Sequence, residues 1–438
     1  MKKILNIFFM AIVLCGGIIG VTHACSSNQI DIGNGNCETA KFTITTTNLN
    51  AGDEFKWYMS ASGTFYVDCG DGGTLSGTGV TNNTITRNDT TTALYICTYD
   101  TAGTKTIQYS GLATQYSTAG FYSQGGAIQF NCYGCNVAFV PEYIAAIDGS
   151  IGSIFPTLGQ SDDLQPMFGH TFAGAQITSI PENLFDGIYG CRSQMFMQTF
   201  IGTQITSIPN NLFSGITCPA TELFRNTFWA TQITSIPPDL FKNIVYSNDT
   251  SVLTDMFFGL FSSCSNLTGY IPPALFAGLI EKGSPYGSQT MDMIFVRDSN
   301  LATTCPVGTT QYITGYESYW GGPVSCQKTN PISCSAGTYL PKLYNDCAQC
   351  TMNNYCGGGT YSFSTSADQG INACAIGYSS SAGASSCMPN TINITWEDAT
   401  PESVAANNAG SCTYGGTINT PAYAPTKRGY IFTGWSFD

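Results

Sequence analysis

Apolar and polar residues follow nearly the same order in three stretches of the chain, each 28 residues after the last. They read MFGHTFAGAQITSIPENLFDGI from Met167, MFMQTFIGTQITSIPNNLFSGI from Met195 and LFRNTFWATQITSIPPDLFKNI from Leu223. A looser copy, MFFGLFSSCSNLTGYIPPALFAGL, begins at Met256, and Val137–Pro141 reads as a degenerate one ahead of them. A fixed period of this length marks a repeat architecture. No single unit can bury its few apolar positions, so each must pack against the next copy. The pattern predicts three internal ladders: Phe172, Phe200, Phe228 and Phe261; Phe185, Phe213, Phe241 and Phe276; and Ile177, Ile205 and Ile233. Cys191 and Cys218 stand 27 residues apart, almost one period. They should therefore face each other on adjacent turns, within reach of a disulfide.

The periodicity changes on either side. Over residues 41–118 the runs KFTITTT, EFKWYMS, TFYVDCG, ALYICTY and KTIQYSG are rich in Thr, Tyr, Phe and Ile and divided by Gly, Asn and Asp. Short, partly alternating runs of this kind predict a small β-sandwich. Cys69 and Cys97 each lie inside an apolar run and are expected to pair across it. Over 306–390 apolar residues thin out while cysteines crowd, so disulfides must replace a core there. The candidates are Cys334, Cys347, Cys350, Cys356, Cys374 and Cys387. Residues 1–24 hold two lysines, an apolar run and the small residues Thr22 and Ala24, the form of a secretory signal. Cleavage after Ala24 is expected, with acylation at Cys25 as the alternative. No other stretch reaches the length a membrane span needs.

Charge narrows the partners. Removing Lys2 and Lys3 lowers Lys plus Arg from 15 to 13 against 28 acidic residues, a net charge of −15. Nucleic-acid binding is excluded as a main role, because no basic patch exists to meet phosphates. Of 19 cysteines, Cys15 leaves with the signal, and the even remainder points to disulfides in an oxidising compartment. Cys132/Cys135 and Cys347/Cys350 have the spacing of zinc ligands, but the disulfide reading is preferred; no metal or cofactor is expected.

Several stretches resemble known families. TFYVDCGDGG followed by LYICTYDTAGTKTIQYSG is similar to PKD-type immunoglobulin-like modules, although Cys69 departs from that pattern. In that reading Asp68 and Asp71 belong to a tight turn rather than a calcium site. FSSCSNLTGYIP, with Phe261, Cys264, Leu267 and Ile271-Pro272, resembles BspA-type leucine-rich repeats. The TFxxxQITSIPxxLF units resemble them less closely, with Ala175, Thr203 and Thr231 in place of the cysteine. CSAGTY, CAQCTMNNYCGGGTYSF and CAIGYSSSAGASSC resemble the cysteine-rich modules of tumour-necrosis-factor-receptor-like and ephrin-receptor-like proteins. At the end of the chain, Cys412-Thr-Tyr-Gly-Gly, Pro425-Thr-Lys-Arg-Gly-Tyr430 and Phe432-Thr-Gly-Trp435 resemble the internalin-type B (Listeria–Bacteroides) repeat. The strand expected after the Trp is missing, so the module is either minimal or cut short.

Together these resemblances imply a mainly β, multi-module chain. A small β-sandwich (41–118) precedes a leucine-rich-repeat solenoid (130–305), a Cys-rich stalk (306–390) and a small β-grasp-like B repeat (391–438). They further imply an exported bacterial adhesin-like protein, at the cell surface or secreted, that binds an unknown protein or glycan through the solenoid. Two other readings are a self-associating envelope protein and a secreted hydrolase. No enzyme is expected: the nearest carboxylate clusters, Asp162 with Asp163 and Glu182 with Asp186, read as solvated turns. His170 occupies a position held by Gln198 and Asn226 in later copies and reads as a surface residue. The candidate ligand face is the polar row beside the buried isoleucines: Gln176 and Thr178, Gln204 and Thr206, Gln232 and Thr234. Ladders of short hydroxyl and amide groups suit a ligand recognised through hydrogen bonds; β-propensity alone would also place Thr there.

Overall fold

The computed structural model describes residues 25–122, 133–159, 165–246, 253–280, 290, 293–298, 300–313, 321–395 and 409–417. The chain is mainly β, built of many small antiparallel sheets. Among the described residues no helix is long and apolar enough to cross a membrane.

The N-terminal part contains fourteen strands: β1 (Gln29–Gly33), β2 (Asn36–Thr39), β3 (Phe42–Thr46), β4 (Glu54–Met59), β5 (Ala61–Asp68), β6 (Thr74–Gly77), β7 (Val80–Thr81), β8 (Thr84–Arg87), β9 (Ala93–Thr98), β10 (Thr106–Tyr116), β11 (Phe121–Tyr122), β12 (Tyr133–Cys135), β13 (Val137–Phe139) and β14 (Ile144–Gly149). One sheet has the order β14-β3-β10-β5-β8-β7, and the facing sheet is β13-β4-β9-β6. Alternation explains the pairing. Phe42, Ile44, Phe65, Val67 and Ile107 point inward from the first sheet, against Phe55, Trp57 and Tyr95 from the second, and all are buried. Trp57 stacks on Tyr95 with ring centroids 5.4 Å apart. Cys69 and Cys97 are bonded, with Cα atoms 5.6 Å apart. Cys25 is bonded to Cys37 across the β1–β2 hairpin.

The sandwich is larger than the stretch 41–118. Strands β13 and β14, from the segment assigned on sequence to the start of the repeats, complete one edge of each sheet. These short apolar runs resemble repeat sequence because Phe139 serves both parts. It lies in the sandwich core and also stacks on Phe172 at 5.7 Å.

From Phe172 onward the turns of chain lie on one another. Ring centroids are 5.8 Å apart for Phe172–Phe200, 5.6 Å for Phe200–Phe228 and 5.7 Å for Phe228–Phe261. A second column runs Phe185, Phe213, Phe241, Phe276, with neighbours 5.9, 6.2 and 6.1 Å apart. A third column, Phe168, Phe196, Phe224 and Phe257, lies between them. Ile177, Ile205 and Ile233 are fully buried. Cys191 is bonded to Cys218 on the next turn.

The main chain ties the turns together chiefly on the phenylalanine side. The N–H groups of Phe196, Gln198, Phe200 and Gly202 donate to the carbonyls of Leu223, Arg225, Thr227 and Trp229 on the following turn. The intervening residues fold back on their own turn, as when Thr199 donates to Phe196 O. This side is therefore a succession of tight turns. The ITSIP side carries much less: Thr206 N–H donates to Thr178 O, Thr234 to Thr206 and Thr268 to Thr234, one main-chain bond per pair of turns. Pro181, Pro209 and Pro237 have no N–H to extend that ladder. The ITSIP stretches therefore run side by side without forming a regular sheet.

One buried cluster runs unbroken from Phe42 in the sandwich, through the turns, to Ile313. Beyond it the Cys-rich region is joined to the repeats. Ser325 Oγ donates to Ile271 O at 3.0 Å, and buried Asn345 donates to Tyr270 Oη and Cys326 O. The disulfides there are Cys305–Cys326, Cys334–Cys347, Cys350–Cys356 and Cys374–Cys387. Among the described residues there, the sheets are two-stranded and one small apolar cluster is formed by Ile332, Cys334 and Leu340. Residues 391–395 pair antiparallel with 409–413. The Pro425–Trp435 motif lies outside the described residues, as do the 1–24 signal segment and the Asp162–Asp163 pair.

Candidate functional site

A row of uncharged side chains occupies the outer face of the ITSIP stretches. The backbone puts Ile177, Ile205 and Ile233 inward, so their neighbours must face out. Gln176, Thr178, Ser179, Gln204, Thr206, Ser207, Thr234 and Ser235 are exposed, and Gln232 is half-buried. The looser copy extends the row with exposed Asn266 and Thr268. Side chains bridge the turns: Asn266 Nδ2 donates to Gln232 Oε1 at 2.9 Å, and Thr234 Oγ1 to Thr206 O at 3.4 Å. At the first turn Gln176 is anchored to the sandwich, its N–H to Ile144 O and its Nε2 to Glu142 O. The structure thus brings all six candidate residues onto one face. No formal charge occurs at these positions, so the face can exchange hydrogen bonds with a ligand without desolvating an ion.

Two features inside the stack were not legible as such. Thr171, Thr199 and Thr227, each just before a ladder phenylalanine, are fully buried. Their hydroxyls donate across the stack to Val137 O, Phe168 O and Phe196 O at 2.8–3.0 Å. The recurring Thr-Phe dipeptide was the available signal. A further turn also exists: Phe295 stacks on Phe261 at 5.6 Å, and Phe261 N–H donates to Ile294 O. The signal was the match of FSSCSNL at 261–267 with FVRDSNL at 295–301.

His170 requires correction. It is buried, not a surface residue, at 7% exposure. Its position varies because the backbone there is left-handed, with φ of 56° at His170, 57° at Gln198 and 54° at Asn226. Short polar side chains tolerate that conformation better than β-branched ones, so polarity marks the backbone rather than solvent. Burial pulls the imidazole pKa down to about 4, opposed by a hydrogen bond with Gln198. The ring is neutral at pH 7.

Ala175, Thr203, Thr231, Cys264 and Asp298 form one inward column. Cys264 and Cys412 are the free thiols among the described residues. Cys264 Sγ lies 3.0 Å from Phe228 O and 3.2 Å from Thr231 Oγ1, and burial pushes its thiol up to about 12. Asp298 is buried, and burial raises its carboxyl pKa to about 8, opposed by the main-chain N–H of Cys264. Cys347 and Cys350 bond to different partners, so that zinc spacing serves disulfides; Cys135 is disulfide-bonded, and Cys132 lies outside the described residues. Among the described residues no three His, Cys, Asp or Glu side chains gather as a metal would require.

Comparisons with protein-family profiles, with curated proteins and with solved structures each yield no match.

Proposed function

We propose that this is an exported binding protein, displayed at a bacterial surface or secreted, that captures a protein or glycan on the Gln/Thr/Ser face of its stacked turns. In this reading the turns are a solenoid of the leucine-rich-repeat class with BspA-like features. The sandwich closes its first end, and the Cys-rich region carries it away from its point of attachment. The carrying observation is the uncharged row Thr178, Thr206, Thr234 and Thr268, exposed and linked turn to turn. Supporting it, the extensive disulfides suit an extracellular, oxidising setting. Cys25 commits its sulfur to Cys37, which favours a cleaved signal over acylation at that residue. End-to-end self-association is the weaker alternative, because the first turn of the stack already packs on the sandwich.

The test is capture of matrix proteins and glycans on an array by the full chain and by the Thr206→Lys/Thr234→Lys double variant. Both positions are exposed, so the variant should fold with an unchanged melting temperature. Loss of capture supports the reading; capture equal to the parent contradicts it.

A further inference from the structure

We propose that a second face of the turns, the flank around Tyr189, Ser214 and Asp239, is a binding cleft for a neutral oligosaccharide. This flank follows the ITSIP stretches in the chain and is lined by different residues from the Gln/Thr row, so the inference does not rest on that row's function.

Two clefts adjoin here and share Ser214. The larger, of about 370 Å³, runs from Asp186 and Gly187 past Tyr189 to Ser214 and Gly215. The smaller, of about 60 Å³, continues onto the next turn between Asn210, Asn211, Asp239 and Lys242. Tyr189 is 64% exposed, unusual for an aromatic ring in a chain that buries its phenylalanines. Gly215 keeps the floor open: a Cβ there would come within 1.9 Å of Ile188 O and 3.5 Å of the Tyr189 ring. Its glycine is thus required by the close approach of the preceding turn.

The chemistry of the walls selects the ligand. The Asp186 carboxylate offers hydrogen-bond acceptors, while the amides of Asn210 and Asn211 both donate and accept. Among the described residues lining these clefts the one cation, Lys242, is already held by Asp239 with Nζ–Oδ2 at 2.8 Å, which leaves Asp186 unopposed among these charges. Phosphates and acidic sugars are therefore disfavoured. A neutral sugar supplies what remains: several hydroxyls that donate to the carboxylate and amides, and an apolar C–H face that covers an exposed aromatic ring. Small-molecule sites combine an apolar surface with a few placed polar groups in this way. Because the clefts cross successive turns, they fit a chain of sugars better than a single one. Phe185, Ile188, Phe213 and Leu240 also line the clefts but are themselves buried, so Tyr189 is the exposed apolar surface, which suits one sugar face better than the several side chains of a peptide.

Saturation-transfer NMR and calorimetry on the full disulfide-bonded chain, with neutral tetrasaccharides of glucose, galactose, mannose and N-acetylglucosamine, test this. At least one should bind. Tyr189→Ala and Asp186→Ala, both at exposed positions, should each weaken it by about tenfold or more, the effect of losing a contact worth one decade of affinity. The Thr206→Lys/Thr234→Lys variant should bind it unchanged, and a uronic-acid tetrasaccharide should not bind. Silence from every neutral tetrasaccharide, parent-like binding by Tyr189→Ala, or equal binding of the uronic-acid chain would overturn the proposal.

Discussion

His170, Gln198 and Asn226 occupy one position in successive turns, and their different chemistry had suggested a solvent-facing site. Their shared left-handed backbone is the actual constraint, and it is invisible to hydrophobic patterning because it selects conformation rather than polarity. It also has a consequence for stability. A histidine whose folded pKa lies near 4 rather than 6.5 contributes stability that is present above pH 6.5 and lost as pH falls toward 4. The full effect is about 3 kcal/mol at 1.36 kcal/mol per unit. Replacing His170 with Gln, the residue of the next turn, should leave stability at pH 7 nearly unchanged and remove that part of the acid sensitivity. Urea unfolding at pH 7 and pH 4.5 checks it; equal acid loss in parent and variant would show that the ring titrates freely. Asp298 behaves in the opposite sense. Its raised pKa means stability present below the unfolded value near 3.8 and lost as pH rises through about 8. Asp298→Asn should therefore be near neutral at pH 4 and stabilise on the order of 3–5 kcal/mol at pH 8. A variant no more stable than the parent at pH 8 would mean that the carboxylate is solvated.

The period of 28 was legible because each ladder residue meets its own copy, so identity at fixed spacing is the direct signature of stacking. Phe172, Phe200 and Phe228, as well as Cys191 and Cys218, could be placed from spacing alone. The fine structure of the turns could not. Nothing in ITSIP announces that the regular hydrogen bonds run on the opposite side, through tight turns at Phe196–Gly202, while the Ile–Pro side carries one bond per pair of turns. Membership of VAF and IAAI in the sandwich was hidden for a related reason: Phe139 satisfies the repeat pattern and the sheet pattern at once. Two element-scale changes probe the stack. Phe200→Ala removes a ring held between Phe172 and Phe228 and should cost about 3–5 kcal/mol, the usual range for a buried aromatic. Removing the Cys191–Cys218 staple by a double Ser substitution should cost about 3–4 kcal/mol in the chain-entropy account of a loop of this length. Thermal and chemical unfolding measure both. A loss below about 1 kcal/mol from Phe200→Ala would place that ring outside the core.

At the scale of the whole molecule, sandwich and turns share one core and the Cys-rich region is mostly coreless. Reduction should therefore act unevenly, since disulfides replace buried apolar area between residues 334 and 387 but only supplement it among the turns. Limited proteolysis under reducing conditions should cut first within that C-terminal part; first cuts within 167–245 would reverse the assignment. Both proposed faces exist only if successive turns are held in register by the continuous core from Phe42 to Ile313. Native-state hydrogen exchange measures this most directly. The amides of Phe196, Phe200, Phe224 and Phe228, which bridge turns, and those of Ile107 and Tyr109 in the sandwich should exchange through a common opening of the same free energy. Rapid exchange of the bridging amides while the sandwich stays protected would contradict a shared core, and with it the rigid faces on which binding is argued.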